Sequence, residues 1–304
     1  GVGIALGSSS TAQRNFLAHT RAEESSADQS AVRFLAQSGI DPKGAVDVLK
    51  RFLGQEVLNI SRQDPYVRTH PLSRDRMRAM EAFAVATKGS FKTNPQHAAW
   101  FNLIQGKITA YTRAPQWTLR KVKGQNDQIA LMRQAIAYGR NADAKNRDRA
   151  LNRLLAKAPK NPFVHELAGD LRFRARDFDG AAKAYKRAID LAPNQPLILA
   201  GYGRALLAKG DDSSIRQALS VLERARTRDG FHAGLMRDLA QAYARTGQSG
   251  MAALVTAERY ALNGRPKDAA ILAERATGLL PRGSGPWRRA MDVLSTTERA
   301  LRKR

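Results

Sequence analysis

Two carboxylate side chains, Glu24 and Asp28, lie four residues apart on what reads as one face of a helix. Six residues share that face at spacings of three and four: Glu24, Ala27, Asp28, Ala31, Phe34 and Leu35. We expect this face to be the buried one, because serines and other polar residues take the opposite side. A buried charge without a partner is very costly. The two carboxylates therefore need a cation, strong hydrogen bonds or a metal ion.

The same acidic residues also suit a simpler role at the start of a helix. Acidic side chains in a first helical turn complement the helix dipole. Thr20 and Glu23 have the spacing of a capping box. The helix is expected to run from Ser9 or Ser10 to about Gln37 and to end at Gly39.

A second motif, Thr69-His70-Pro71, follows further along the chain, with Arg76 five positions after its proline. Imidazole is a common zinc ligand, so His70 is a candidate metal ligand. The alternative is a loop histidine with no special role. Arg76 is a candidate partner for a carboxylate such as Asp28, or else an exposed arginine on a helix.

Short helices are predicted around these two motifs. Asp41 should cap a helix that has Pro42 in its first turn, and Thr69 or Ser73 should start another. A further helix should open at Asn94 and Pro95, whereas Ala114-Pro115 reads as a loop. The residues expected to face inward on the first two of these helices are Ala45, Val46, Leu49, Phe52, Leu53, Met77, Met80 and Phe83.

From about Gln128 the chain becomes rich in alanine, arginine and leucine, and residue types recur at fixed offsets. The clearest unit is Pro162–Gln195, which matches the small, aromatic and proline positions of a 34-residue tetratricopeptide repeat at Gly169, Ala181, Tyr185, Ala188 and Pro193. Gly203 follows Gly169 by 34 residues, so the next unit is in phase, with an insertion at Asp211–Ser214.

Weaker units flank these two. A later unit should span Gly250 to Gly283, and bridging and degenerate helix pairs are indicated by Leu239, Ala240, Tyr243, Ala135, Tyr138 and Pro159. Small residues at fixed positions let paired helices approach closely. We therefore predict stacked antiparallel helix pairs around a concave groove over residues 128–290, in an all-α protein.

One segment of the repeat half imitates a catalytic motif. His165-Glu166-Leu167-Ala168-Gly169 begins like the zinc motif His-Glu-x-x-His, but its fifth residue is glycine. No complete His-Glu-x-x-His occurs in the 304 residues. The segment is therefore interpreted as the first helix of a repeat.

The N-terminal motifs together resemble one gluzincin family of zinc metalloproteases. Glu24-x-x-Ala27-Asp28, followed by an apolar helix and Gly39-Ile40-Asp41-Pro42, is similar to the third-ligand helix of the family that contains the CAAX prenyl proteases and HtpX. That family also has a Thr-His-Pro segment followed by an arginine at this distance. With its repeat tail, the chain resembles the periplasmic BepA-like branch.

This resemblance implies a role for each candidate residue. Glu24 would be the zinc-ligating glutamate, and Asp28 and Arg76 would support the metal ligands. His70 would occupy or block the open coordination position. The other two metal ligands and the general base belong to the absent His-Glu-x-x-His, so no catalytic residue is visible in this chain. Residues 1–125 would be the C-terminal portion of the protease domain with connecting helices, and residues 126–304 the repeat domain.

The implied function is that of a zinc metalloendopeptidase in envelope protein quality control, periplasmic or associated with the outer membrane of a Gram-negative bacterium. Its repeats would recruit protein substrates or partners. This chain alone is expected neither to hold zinc tightly nor to be active, and its start at glycine rather than methionine indicates processing or truncation. One alternative is a repeat adaptor without enzymatic activity. A second is a helical repeat that binds nucleic acid.

The amino-acid composition of the chain narrows the choice between these functions. The chain carries 51 Lys or Arg residues against 27 Asp or Glu residues, and 35 of those cations and 18 of those acids lie in residues 121–304. Such basicity favours acidic partners or membrane surfaces. Nucleic acid is disfavoured because the basic residues are scattered and lack interleaved stacking aromatics. A hydrophobic content of 43% excludes wholesale disorder, and the lack of cysteine excludes disulfides and thiolate metal sites.

Overall fold

The computed structural model describes residues 22–52, 74–87 and 94–302. Within those ranges the chain forms fifteen helices and no strand, which confirms the all-α prediction. In chain order they are α1 (22–37), α2 (Lys43–Lys50), α3 (Arg74–Ala86), α4 (Pro95–Thr112), α5 (Pro115–Lys121), α6 (Gln128–Arg140), α7 (Ala144–Lys157), α8 (Pro162–Arg174), α9 (Phe178–Leu191), α10 (Pro196–Lys209), α11 (Asp212–Arg226), α12 (Ala233–Arg245), α13 (Ser249–Leu262), α14 (Pro266–Leu279) and α15 (Gly285–Arg302). None of these helices is long and apolar enough to cross a bilayer.

The chain divides into two compact units, residues 1–101 and residues 102–304. The boundary falls inside α4, so one helix contributes to both units. The domain division predicted at residues 125 and 126 concerns the extent of a protease domain and stays a prediction.

Helices α1, α2 and α3 pack around a small apolar core in the first unit. The buried side chains of this core are Val32, Val46, Leu49, Met77 and Met80, with Ala45, Phe52, Phe83 and Ala84 packed against them. The inward positions predicted for α2 and α3 are confirmed for the described residues. Thr69, His70 and Leu53 lie outside the described ranges.

The turn between α1 and α2 follows the expected capping chemistry. Gly39 has a φ of 71°, a left-handed conformation that favours glycine, and the N–H of Ile40 donates to the carbonyl of Leu35 at 2.9 Å. The carboxylate of Asp41 then accepts a hydrogen bond from the N–H of Lys43 at 2.9 Å. These contacts confirm the predicted stop at Gly39. Asp41 accepts a hydrogen bond from the first turn of α2 as expected, but the N-cap residue is Pro42.

The predicted buried face of α1 is only partly right. Asp28 is buried and Glu24 is half-buried, but Ala27 and Ala31 are exposed and Phe34 is 65% exposed. Val32, four residues after Asp28, is the buried apolar residue of the helix. The true stripe is therefore rotated from the predicted one, because the position of α2 and α3 selects the side that is covered.

The loop predicted at Ala114-Pro115 is confirmed at Ala114 and wrong at Pro115. Pro115 is the first residue of α5, and Ala114 is its extended N-cap. Proline suits a first helical position because its fixed φ is already helical and its missing N–H would have had no partner in the helix. Asn94 does cap α4 as predicted, since its side-chain oxygen accepts from the N–H of Gln96 at 2.9 Å.

The second unit is a stack of antiparallel helix pairs. Helices α6, α8 and α10 begin at Gln128, Pro162 and Pro196, so successive pairs start 34 residues apart. Each helix packs against the next along the chain from α6 to α15. The core of the second unit consists of buried alanine and leucine side chains, with Tyr185, Tyr202 and Tyr243 among them. The predicted repeat architecture is confirmed.

The insertion predicted at Asp211–Ser214 lengthens a helix. Helices α9 and α11 start 34 residues apart, but the buried positions Ala181 and Tyr185 recur as Ala218 and Leu222, 37 residues later. The three extra residues therefore add about one turn to the start of α11. Asp211 caps this turn, and hydrogen bonds from the hydroxyls of Ser213 and Ser214 and then from the N–H of Ser214 lower the pKa of its carboxyl.

Close approach of the repeats depends on two glycines that contact one tyrosine. A Cβ on Gly169 would lie 2.6 Å from the ring of Tyr185, and a Cβ on Gly201 would overlap the same ring from the next pair. Tyr185 is 6% exposed. The aromatic ring thus fills the space that the two glycines leave between α8 and α10.

Replacing Gly169 with alanine should therefore lower the free energy of unfolding of the second unit by about 1–3 kcal/mol, since the added methyl group overpacks the site. The matched control is Gly278→Ala, a helical position with no atom within 4 Å of the new Cβ. It should instead stabilise by up to about 1 kcal/mol. Chemical denaturation of both variants measures the difference, and equal effects would contradict the tight packing at Tyr185.

Candidate functional site

Arg76 joins the two candidate carboxylates in the first unit. Its Nη2 lies 2.8 Å from Oε2 of Glu24 and 3.0 Å from Oδ1 of Asp28, and its Nε donates to Oδ2 of Asp28. Glu24 and Asp28 are one turn apart on α1, whereas Arg76 is on α3. The structure therefore brings together three of the four residues singled out from the sequence.

All three side chains are largely removed from solvent. The exposed fraction is 7% for Arg76, 11% for Asp28 and 17% for Glu24. The three side chains together carry one formal negative charge, and the bidentate contact between Arg76 and Asp28 fixes the orientation of these two side chains. The arrangement holds the two acids rigidly on one face of α1.

The described residues do not group a full set of possible metal ligands. Within residues 22–52, 74–87 and 94–302, no three His, Cys, Asp or Glu side chains are grouped so that they could hold a metal ion. Glu24 has the right chemistry for a zinc ligand, but a catalytic zinc normally has three protein ligands. His70, the other predicted ligand, lies outside the described residues, so no reaction step through zinc follows from this geometry.

The His165-Glu166 segment is part of the repeat fold, as predicted. It lies in α8, where Nε2 of His165 is 2.8 Å from the carbonyl oxygen of Pro159. The carboxylate of Glu166 pairs with Nζ of Lys107 at 3.0 Å. Both side chains are thus engaged in contacts that stabilise the second unit.

Helix α4 makes a further polar contact that the sequence did not predict. The hydroxyl of Tyr111 donates to Asp170 at 2.9 Å, and Arg174 reaches the same carboxylate at 3.0 Å. Burial, followed by the adjacent Asp170 charge, raises the pKa of Tyr111. Because Tyr111 and Asp170 are 59 residues apart, no local pattern could have predicted the contact.

The first unit is similar to a known family of proteins. Residues 3–84 match peptidase family M48. The matched segment contains Glu24, Asp28, His70 and Arg76, and it confirms the family resemblance that the two motifs indicated. The match covers the N-terminal part of the chain and ends close to the end of α3.

Three curated relatives match this chain over most of its own length. The chain is 25% identical over 298 residues to the β-barrel assembly-enhancing proteases of Escherichia coli (strain K12), Shigella flexneri and Escherichia coli O157:H7. The alignment covers 93% of this chain and 58% of each relative. The chain thus spans little more than half the length of these proteases.

Solved structures resemble this chain over a little more than half of its length. A MamA structure (AMB-1) is 18% identical, with a TM-score of 0.46, and covers 54% of this chain and 98% of its own. The tetratricopeptide protein TTC0263 of Thermus thermophilus is 17% identical, with a TM-score of 0.36, and covers 55% and 99%. The antiparallel helices and their 34-residue spacing identify the repeats in this chain.

Proposed function

We propose that this chain is a portion of a zinc-dependent metalloendopeptidase whose helical repeats recruit protein substrates or partners. The observation that carries the proposal is the M48 match over residues 3–84, together with the Glu24–Arg76–Asp28 cluster that lies inside it. A carboxylate held by a neighbouring arginine suits a ligand position, because its orientation is set before the metal binds.

In this proposal each described residue has a defined task. Glu24 is the zinc ligand contributed by this chain, and Asp28 and Arg76 hold its carboxylate in place. The zinc ion would supply Lewis-acid polarisation of the scissile carbonyl. The general base and the two remaining ligands would come from a His-Glu-x-x-His segment, which these 304 residues lack. His70 is proposed as a further group at the metal.

The setting of the enzyme is inferred from its relatives. They are named as proteases that enhance β-barrel assembly and come from Gram-negative bacteria. We extend to this protein a role in envelope protein quality control, in the periplasm or at the outer membrane. The basic second unit adds a capacity for acidic or membrane-surface contacts.

The second candidate function is that of a repeat adaptor without enzymatic activity. The described residues form no complete metal site, and a non-enzymatic repeat adaptor would need none. In that case the M48 segment would serve as scaffold and the repeats would carry the function.

Zinc content and casein hydrolysis discriminate the two candidates. Both are measured on this 304-residue chain and on the protein lengthened by the coding sequence that precedes Gly1. We expect no tightly held zinc and no turnover in the shorter protein, because too few ligands are present, and both properties in the longer one. Stoichiometric zinc with turnover in the 304-residue chain would contradict the proposal, and a longer protein without either property would favour the adaptor.

A further inference from the structure

A buried aspartate in the second unit holds two arginines at the surface. Asp238 on α12 is 2% exposed. Its Oδ2 accepts from Nε of Arg204 on α10 at 2.6 Å, and its Oδ1 accepts from Nε and Nη2 of Arg237 at 3.0 and 2.9 Å. One carboxylate therefore fixes two guanidinium groups from neighbouring helix pairs.

These arginines remain available to solvent while their orientation is set. The side chain of Arg237 is 58% exposed and that of Arg204 is 36% exposed. Two cations against one buried anion leave an excess positive charge at the surface. Because an arginine pays less conformational entropy on binding when it is already oriented, such a pair is prepared for an anionic ligand.

A groove lies on the side of α12 that also carries Arg237. Ala240, Gln241 and Ala244 follow Arg237 by three, four and seven residues, which places all four on one side of the helix. Ala240, Gln241 and Ala244 line a groove of about 360 Å³ with residues of α13 and α14. Both α12 and α14 pack against α13, and the groove runs between them.

The groove combines small apolar side chains with a further cation. Ala252 and Ala253 form part of its wall on α13, and Leu272 and the exposed Arg275 form part of its wall on α14. No aromatic side chain is among the residues that line it, so it offers no platform for stacking bases. Its chemistry fits a peptide that carries both carboxylates and small or branched apolar side chains.

We propose that this surface binds an acidic peptide segment of a partner protein. Carboxylates of the segment pair with Arg204 and Arg237, and apolar side chains of the segment occupy the groove between α12 and α14. The proposal rests on the recruiting role of the repeats and specifies where recruitment occurs and what chemistry it selects. Arginine–carboxylate pairs would fix the orientation of the peptide, and the groove would provide apolar contact area.

The test uses a fluorescein-labelled twelve-residue peptide of alternating glutamate and leucine, and its isosteric analogue with glutamine at every glutamate. Fluorescence anisotropy measures their affinity for the full chain. The glutamate peptide should bind at least about tenfold more tightly than the glutamine peptide, and Arg204→Gln with Arg237→Gln should weaken its binding by about 10–100-fold. Because Arg204 is partly buried, Arg237→Gln alone is measured as well and should weaken binding in the same direction.

The matched control is Arg153→Gln with Arg187→Gln, which removes the same charge from exposed positions on α7 and α9. It should change the affinity less than about threefold, since distant surface charges are screened. Equal affinity for the two peptides, no binding of either, or equal losses in both double variants overturns the proposal. Binding to anionic phospholipid vesicles that requires Arg204 and Arg237, without peptide binding, would overturn it in favour of a membrane surface. None of these measurements involves hydrolysis, so a failure here leaves the proposed peptidase to be judged by its own zinc and casein assays.

Discussion

Replacing Arg76 with methionine should lower the free energy of unfolding of the first unit by about 3–5 kcal/mol. The guanidinium is 7% exposed and contacts both Glu24 and Asp28. Methionine preserves much of the volume but removes the charge and the hydrogen bonds. Glu24 and Asp28, one helical turn apart, would then lose the guanidinium that contacts both of them. Hydrogen–deuterium exchange of α1 and α3, with chemical denaturation, measures the loss.

The matched control for this prediction is Lys50→Met, which breaks the ion pair of Lys50 with Glu81. That pair is 2.7 Å long, but its side chains are 47% and 44% exposed. Its loss should cost no more than about 1 kcal/mol, because solvent screens the interaction. Adding Asp28→Asn to Arg76→Met should recover part of the stability, because it removes an unpaired charge. If Arg76→Met and Lys50→Met cost the same, the cluster does not stabilise the unit.

Glu24→Gln should remove both zinc and peptide hydrolysis from the lengthened protein. The amide keeps the size of the side chain and much of its hydrogen bonding, but it lacks the anionic charge of a zinc-ligating carboxylate. With one of three protein ligands lost, we expect hydrolysis at the level of a metal-free control. Asp28→Asn should have a smaller effect, weakening zinc affinity about 10–100-fold, as is typical of groups that orient a ligand without touching the metal.

The control for charge on α1 is Glu23→Gln. Glu23 is exposed and adjacent in sequence, so this variant makes the same chemical change off the buried face. It should keep both zinc and activity. Zinc is quantified by atomic absorption after dialysis, and hydrolysis is followed with casein. A Glu24→Gln protein that retains full zinc and full activity would show that Glu24 is not a ligand.

The amino-acid sequence by itself determined the features that depend on neighbouring residues. The glycine stop at Gly39 and the side-chain acceptors Asp41 and Asn94 at the starts of two helices are local features, so the pattern predicted them correctly. The 34-residue repeat was also readable, because each unit places its small residues and Tyr185-like aromatics at the same offsets. Even the extra residues before Ala218 were located, although not their helical form.

Only the tertiary structure decided which face of helix α1 is buried. Val32, and not Phe34, is buried on α1, because α2 and α3 cover that side of the helix. Spacing alone could not distinguish the two neighbouring stripes, since both satisfy helical periodicity.

Long-range pairings were likewise settled only by packing. Arg76 is 48 residues from Asp28, and Arg204 is 34 residues from Asp238. The sequence offered Asp28 as one candidate partner for Arg76 and gave no sign of the Asp238 cluster. A charged side chain is committed to one partner only when the helices that carry both are brought together and water is excluded between them, because exposed charges remain screened and interchangeable.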